Sequence, residues 1–191
     1  MFLETVNLMP GQFSYDFEGW DSLNDDVMGG TSQAICIKSS IGLILKGSIV
    51  EENGGFVSCK SPIFEPPIDL SSFKGLELKV YGQGRILKFT VSCKAGLLDF
   101  SEYILNISPG GLLWFAEFET NAFGSTILRI PFKSLEPIVT RKTPSLPVNF
   151  KPNSINQFQL LHSKFGRPGK LNPGFRPGKI KIVLESISAY S

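Results

Sequence analysis

The sequence predicts an all-β domain built as a jelly-roll β-sandwich. Three observations predict it. Short apolar runs bounded by Gly, Pro, Asn or Ser recur along the chain, several of them alternating apolar with polar residues. A content of 16 Phe, 19 Gly and 13 Pro suits many strands punctuated by turns. No stretch keeps apolar spacing at three and four residues over several turns without a Gly or Pro, so no long helix is expected. With 191 residues, 42% of them hydrophobic and 19% charged, the chain is read as one domain over residues 1–191 with enough apolar matter for its own core.

Strands are expected at 34–38, 42–46, 56–59, 76–81 and 86–92 in the first half, and at 113–119, 126–130, 157–162 and 179–187 in the second. In the run from Leu76 to Val80, Leu76, Leu78 and Val80 fall at every second position and take the core face, while Glu77 and Lys79 face water. The last strand repeats the pattern, Ile180, Ile182 and Leu184 alternating with Lys179, Lys181 and Glu185. A short helical turn is allowed near residues 131–135. Residues 136–153 are expected as loop, because Pro137, Pro144, Pro147 and Pro152 are too many for a central strand. Residues 163–179 form a second loop, basic and punctuated by Gly and Pro, with Phe165 and Phe175 in its two partly repeated halves.

Net charge is +2, but residues 1–136 carry −6 and residues 137–191 carry +8. Such asymmetry marks a surface for an acidic partner, nucleic acid or anionic lipid, unless the two segments interleave in the fold and the charges mix. No run is long enough to cross a membrane as an apolar helix. The first 12 residues carry Glu4 and lack the apolar core of a secretory signal. Cys36, Cys59 and Cys93 are odd in number and widely spaced, which reads as buried reduced thiols. Together these predict a cytoplasmic protein, with a basic tail suited to the periphery of an anionic membrane.

The densest run of unusual residues is 20–32, which contains Trp20, Asp21, Asn24, Asp25, Asp26, Val27, Met28, Gly29, Gly30 and Ser32. Paired glycines permit conformations closed to other residues, and Asn or Asp side chains bond nearby backbone N–H groups, so this run predicts a tight self-satisfied loop. A second run, Asn53, Gly54, Gly55 and Phe56, carries the same chemistry straight into a strand. These two runs resemble the complex I intermediate-associated protein family, whose members carry a W…NDxVMGGxS segment followed by ENGGFxS. Trp20, Asn24, Asp25, Val27, Met28, Gly29, Gly30 and Ser32 match the first, and Glu52 to Phe56 with Ser58 match the second. Gly82, Gly84 and Arg85 resemble the family's GDGR turn, with Gln83 in place of the acidic residue.

The resemblance implies a galactose-binding-like jelly roll and a chaperone-like role in assembling the respiratory NADH:quinone oxidoreductase, or a photosystem in photosynthetic lineages. The implied partners are protein subunits of such a complex, and no cofactor or small-molecule substrate is expected. In this reading Trp20, Val27, Met28 and Phe56 meet a client, although large apolar side chains are more often core.

Catalysis and metal binding find little support in the residues. The one histidine, His162, sits in a strand-like run, which suits no triad, and three scattered Cys give no zinc spacing. Asp21, Asn24, Asp25 and Asp26 have the oxygen ligands that calcium takes, against the plainer reading of a self-capped turn. Two further binding classes stay open. RNA would be held by Lys164, Arg167, Lys170, Arg176 and Lys179 with Phe165 or Phe175 stacking on bases. Carbohydrate would need aromatic faces exposed on one sheet.

Overall fold

The computed structural model describes residues 13–93, 112–139 and 148–191. Two antiparallel sheets face each other. The first runs in the order β3 (Gln33–Ser39), β4 (Gly42–Ile49), β12 (Gly178–Tyr190), β6 (Gly75–Tyr81) and β9 (Thr126–Pro131), with β1 (Phe13–Ser14) pairing the end of β12. The second runs β10 (Glu136–Val139), β8 (Leu112–Glu119), β7 (Ile86–Cys93), β11 (Ile155–Ser163), β5 (Phe56–Lys60) and β2 (Asp21–Asn24). All nine expected strands are present, and the expected turn appears as a single 3-10 turn at Phe132–Ser134.

Alternation places the core as the sequence predicts. Leu76, Leu78 and Val80 of β6 and Ile180, Ile182 and Leu184 of β12 are buried against Leu87, Phe89 and Val91 of β7 and Phe158 and Leu160 of β11. Strict alternation breaks after Leu184, because the register slips between Leu184 and Ser186. The extra residue, Glu185, lets both Leu184 and Ile187 face the core, as a β-bulge does. Its carboxylate is held by Lys79 at 2.8 Å and by the Ser125 hydroxyl.

Three expectations are corrected. Part of the proline-rich segment forms an edge strand: β10 includes Pro137, opposite Trp114 at the end of its sheet, where a residue without an N–H costs no ladder bond. Pro144 and Pro147 lie outside the described residues, as do residues 1–12. Residues 21–24 are an edge strand rather than loop, pairing Asp21 with Lys60 and Asn24 with Val57. Cys36 and Cys59 are bonded as a disulfide between β3 and β5, with a Cα separation of 5.8 Å, so one cross-link ties the two sheets, while the Cys93 thiol donates to the Lys151 carbonyl at 3.3 Å. The two cysteines are distant in sequence but face each other across the sandwich, and with them goes the cysteine argument for a reducing compartment.

Candidate docking surface

The two glycine-rich runs meet around one buried carboxylate. Asp25 begins a 3-10 turn, Asp25–Met28, that closes when the N–H groups of Gly29 and Gly30 donate to the carbonyls of Asp26 and Asp25 at 3.0 and 2.9 Å. Gly29 sits at φ 83°, a left-handed position that suits glycine. The Asp25 side chain then points inward, where Oδ1 accepts the Ser32 N–H at 2.9 Å. Its Oδ2 accepts the Ser32 hydroxyl at 2.6 Å and the N–H groups of Gly55 and Phe56 at 2.6 and 3.2 Å. Burial by itself raises this carboxyl's pKa, but the bonds from Ser32, Gly55 and Phe56 outweigh it and hold Asp25 below the ordinary aspartate value.

Gly30 and Gly54 are glycines because the Asp25 side chain lies against both. A Cβ on either would overlap its carboxyl group. Asn53 turns the second run with φ 56°, and Gly55 follows at φ 95°. Asn24 fixes the other flank, its amide donating to the Ala34 carbonyl at 2.9 Å. The motifs therefore form a clasp between β2, β3 and β5, held shut by Asp25 on Ser32 and on the N–H groups of Gly55 and Phe56. The turn is self-capped, the plainer of the two readings of these residues. Asp25 and Ser32 are spent inside the clasp, so they present nothing to a client. Asp21, Asn24, Asp25 and Asp26 do not converge on a cation site, since Asp25 faces inward onto N–H donors while Asp21 accepts the Ser22 N–H.

Outward the clasp presents Asp26, Thr31 and Asn53 and, at the tip of its turn, two apolar side chains. Val27 and Met28 are 64% and 43% exposed at the tip of the 3-10 turn, whereas Trp20 is buried in the core and Phe56 is half-buried. Beside the turn runs a groove of about 870 Å³ between the clasp and β3, lined by Asp26, Thr31, Gln33, Ile35, Ile37 and Lys46. Ile35 and Ile37 stand 57% and 42% exposed on alternate positions of β3. Sequence reasoning missed them as surface residues. The signal was the Lys38 and Gln33 flanks of an edge strand, but edge and centre are not told apart before the sheet order is known.

The five basic residues of the 163–179 loop do not gather into one patch. Lys164 donates to the Glu51 carbonyl at 2.7 Å, Arg167 pairs with Glu136 at 3.2 Å, and the Arg176 guanidinium donates to the Gln83 carbonyl. Lys170 and Lys179 are exposed. Phe175 stacks on His162, with ring centroids 5.5 Å apart at 21°, instead of offering a face to a base. The loop is stitched to the second sheet from beneath. His162 Nδ1 donates to the Ile86 carbonyl at 2.9 Å, and its Nε2 accepts from Arg85 at 3.1 Å, which fixes the neutral tautomer. Arg85 reaches on to the carbonyls of Arg176 and Lys179 at 2.5 and 3.1 Å. Burial and the two arginines push the His162 pKa down to about 4, against a smaller opposing effect of the Ile86 bond. With both ring nitrogens engaged and the side chain buried, His162 is a fastening and not a base.

With this geometry in view, comparison with known proteins decides the family. Residues 11–184 match the family described as Complex I intermediate-associated protein 30 (CIA30). This chain belongs to the CIA30 family. No curated protein sequence matches it. Among solved structures it is similar to the Family 11 Carbohydrate-Binding Module from Clostridium thermocellum in complex with a beta-1,3-1,4-mixed-linked tetrasaccharide. That likeness has a TM-score of 0.62 at 12% identity and covers 95% of this chain and 96% of that one. A second structure of a Family 11 module, from the cellulosomal cellulase Lic26A-Cel5E of the same organism, gives 0.54 at 13% identity, over 96% and 89%. An agarase gives 0.53 at 9% identity, over 95% of this chain and 25% of that one. At such identities these establish the fold, a β-sandwich of the carbohydrate-binding-module type. Among the described residues Phe123, in the loop after β8, is the exposed aromatic, and it lies on neither sheet.

Proposed function

We propose that this CIA30-family chain is a non-catalytic, chaperone-like binding protein that acts in the assembly of a membrane electron-transfer complex. In this reading it meets a protein client through the apolar shoulder of Val27 and Met28 and the groove beside it. The observation that carries the reading is the division of labour within the glycine-rich motifs. Asp25 and Ser32 are consumed in holding the turn, and two large apolar side chains, Val27 and Met28, stand exposed at its tip. Apolar surface kept exposed on a rigid support is what a docking site needs, because its ordering entropy is already spent before the partner arrives. Family membership supports the client being a subunit of a respiratory complex of the NADH dehydrogenase type or a photosynthetic counterpart.

The alternatives fare less well. RNA binding through the 163–179 loop loses support because Lys164, Arg167 and Arg176 are bonded within the chain and Phe175 is stacked on His162. Carbohydrate binding would need aromatic platforms on a sheet face. The test is affinity purification of tagged full chain after mild crosslinking, comparing wild type with Val27→Asp/Met28→Asp. Loss of membrane-complex subunits from the variant, with its thermal midpoint unchanged, is the expected result. Equal recovery from both proteins would overturn the docking role of this shoulder.

A further inference from the structure

We infer that the groove along β3 receives an extended, acidic segment of the partner protein. This rests on the docking reading above and names the chemistry of what docks. Among the described residues β3 ends its sheet: it pairs with β4 on one side and with no described strand on the other. Its outward positions Ile35 and Ile37 are aliphatic and exposed, a combination that edge strands avoid unless something covers them. Alternate exposed side chains flanking an open groove suit a chain in extended conformation, whose own side chains repeat every second residue.

The charge of the same face specifies the occupant. In the register of β4 with β12, Lys46 stands directly opposite Lys181, and Lys179, two residues earlier on the same face, stands opposite Ser48. Ile35 is the neighbour of Lys46 on the other side. Like charges directly opposed across two strands repel, so this arrangement is unfavourable in the free protein and is relieved when carboxylates arrive. Among the described residues the strands of the sheet carry two acids, Glu77 and Glu185, which are paired with Arg129 and Lys79 at 2.8 Å, and the acid of the groove lining, Asp26, lies at its clasp end. A planar anionic bilayer would leave a groove of about 870 Å³ unfilled. Among the described residues RNA would find no exposed aromatic on this face to stack on. An extended peptide that carries aliphatic and acidic side chains in turn at every second position, and so on one face, satisfies both the isoleucines and the lysines.

The probe is a fluorescent peptide of repeating Val-Ser-Glu-Ser, which in extended form puts valine and glutamate in turn on one face, with its Val-Ser-Lys-Ser counterpart as control, titrated into the full chain and followed by anisotropy. The acidic peptide is expected to bind, to weaken with added salt, and to lose about tenfold or more in Lys46→Glu/Lys181→Glu, since each exposed pair contributes up to about fivefold. Both lysines are exposed, so the variant should keep its thermal midpoint. Should it not, Lys46→Gln/Lys181→Gln gives the same comparison with a smaller perturbation. Equal affinity for the two peptides, or no binding of the acidic one, overturns the inference. So does binding of phosphatidylglycerol-containing vesicles or of oligouridine without the peptide. If the lysine variant still recovers the client that Val27→Asp/Met28→Asp loses, this inference fails and the docking reading stands. If both variants recover it, both fail.

Discussion

Asp25→Ala removes the acceptor on which the whole clasp closes, and its cost can be worked out bond by bond. Two backbone N–H groups, those of Gly55 and Ser32, lose short bonds of 2.6 and 2.9 Å to an ionised oxygen, and the Phe56 N–H loses a longer one of 3.2 Å. The Ser32 hydroxyl can turn instead to the Val50 carbonyl, 3.2 Å away. A buried donor bonded to a charged group contributes about 1.5–3 kcal/mol, so two strong bonds and one weak one amount to roughly 3–6 kcal/mol. That is a large share of the 5–15 kcal/mol that typically holds a domain together. For a domain of this size the thermal midpoint falls by about 2–4 °C per kcal/mol, giving a drop of about 6 °C at the least. Thermal unfolding followed by circular dichroism measures it. A midpoint within about 2 °C of wild type would mean that the motif loops do not depend on this carboxylate, and would refute the clasp.

Other outcomes follow from the same structure. Gly54→Ala pushes a methyl into Asp25 and should cost more stability in urea than Gly29→Ala, which adds only the strain of a left-handed alanine, about 1–2 kcal/mol, in open space. Equal losses would remove the close-approach argument. Opening the Cys36–Cys59 bond, across a sequence separation of 23, should cost about 3 kcal/mol, read as a lower midpoint in reductant for wild type but not for Cys36→Ala/Cys59→Ala. His162 is held neutral with a pKa pushed down to about 4, while the unfolded chain takes up a proton near 6.5. The unfolded state therefore binds more protons between those values, and stability is full above about pH 6.5 and falls towards pH 4 by up to about 3 kcal/mol. His162→Gln should flatten that slope in urea titrations at a series of pH values. Asp25, lowered instead, contributes stability above the ordinary aspartate value and loses it only at more acidic pH.

The fold was legible wherever burial follows a period. Leu76, Leu78, Val80 and Ile180, Ile182, Leu184 announce their core face by alternation, and the structure buries all six. Bulges are silent in such a pattern: nothing in the sequence marks Glu185 as the extra residue that resets the face for Ile187. Edge position is equally silent, which is why Pro137 argued against β10 and why nothing marked Ile35 and Ile37 as exposed. The glycine-rich motifs were visible, but the reason for them was not. Gly30 and Gly54 lie 24 positions apart in sequence and are both explained by one side chain, Asp25, that folding brings between them. The disulfide was missed for the same reason, since β3 and β5 belong to different sheets and meet only across the sandwich.

A client met at the clasp and groove would be captured there by site-specific photocrosslinking. A photoreactive amino acid would be placed at Val27, at Ile35, and at Lys60 on the other sheet, with crosslinking done in the native host and the products identified by mass spectrometry. The account predicts that positions 27 and 35 capture the same membrane-complex subunits and that position 60 does not. Capture from position 60 alone would put the client on the opposite face and contradict it.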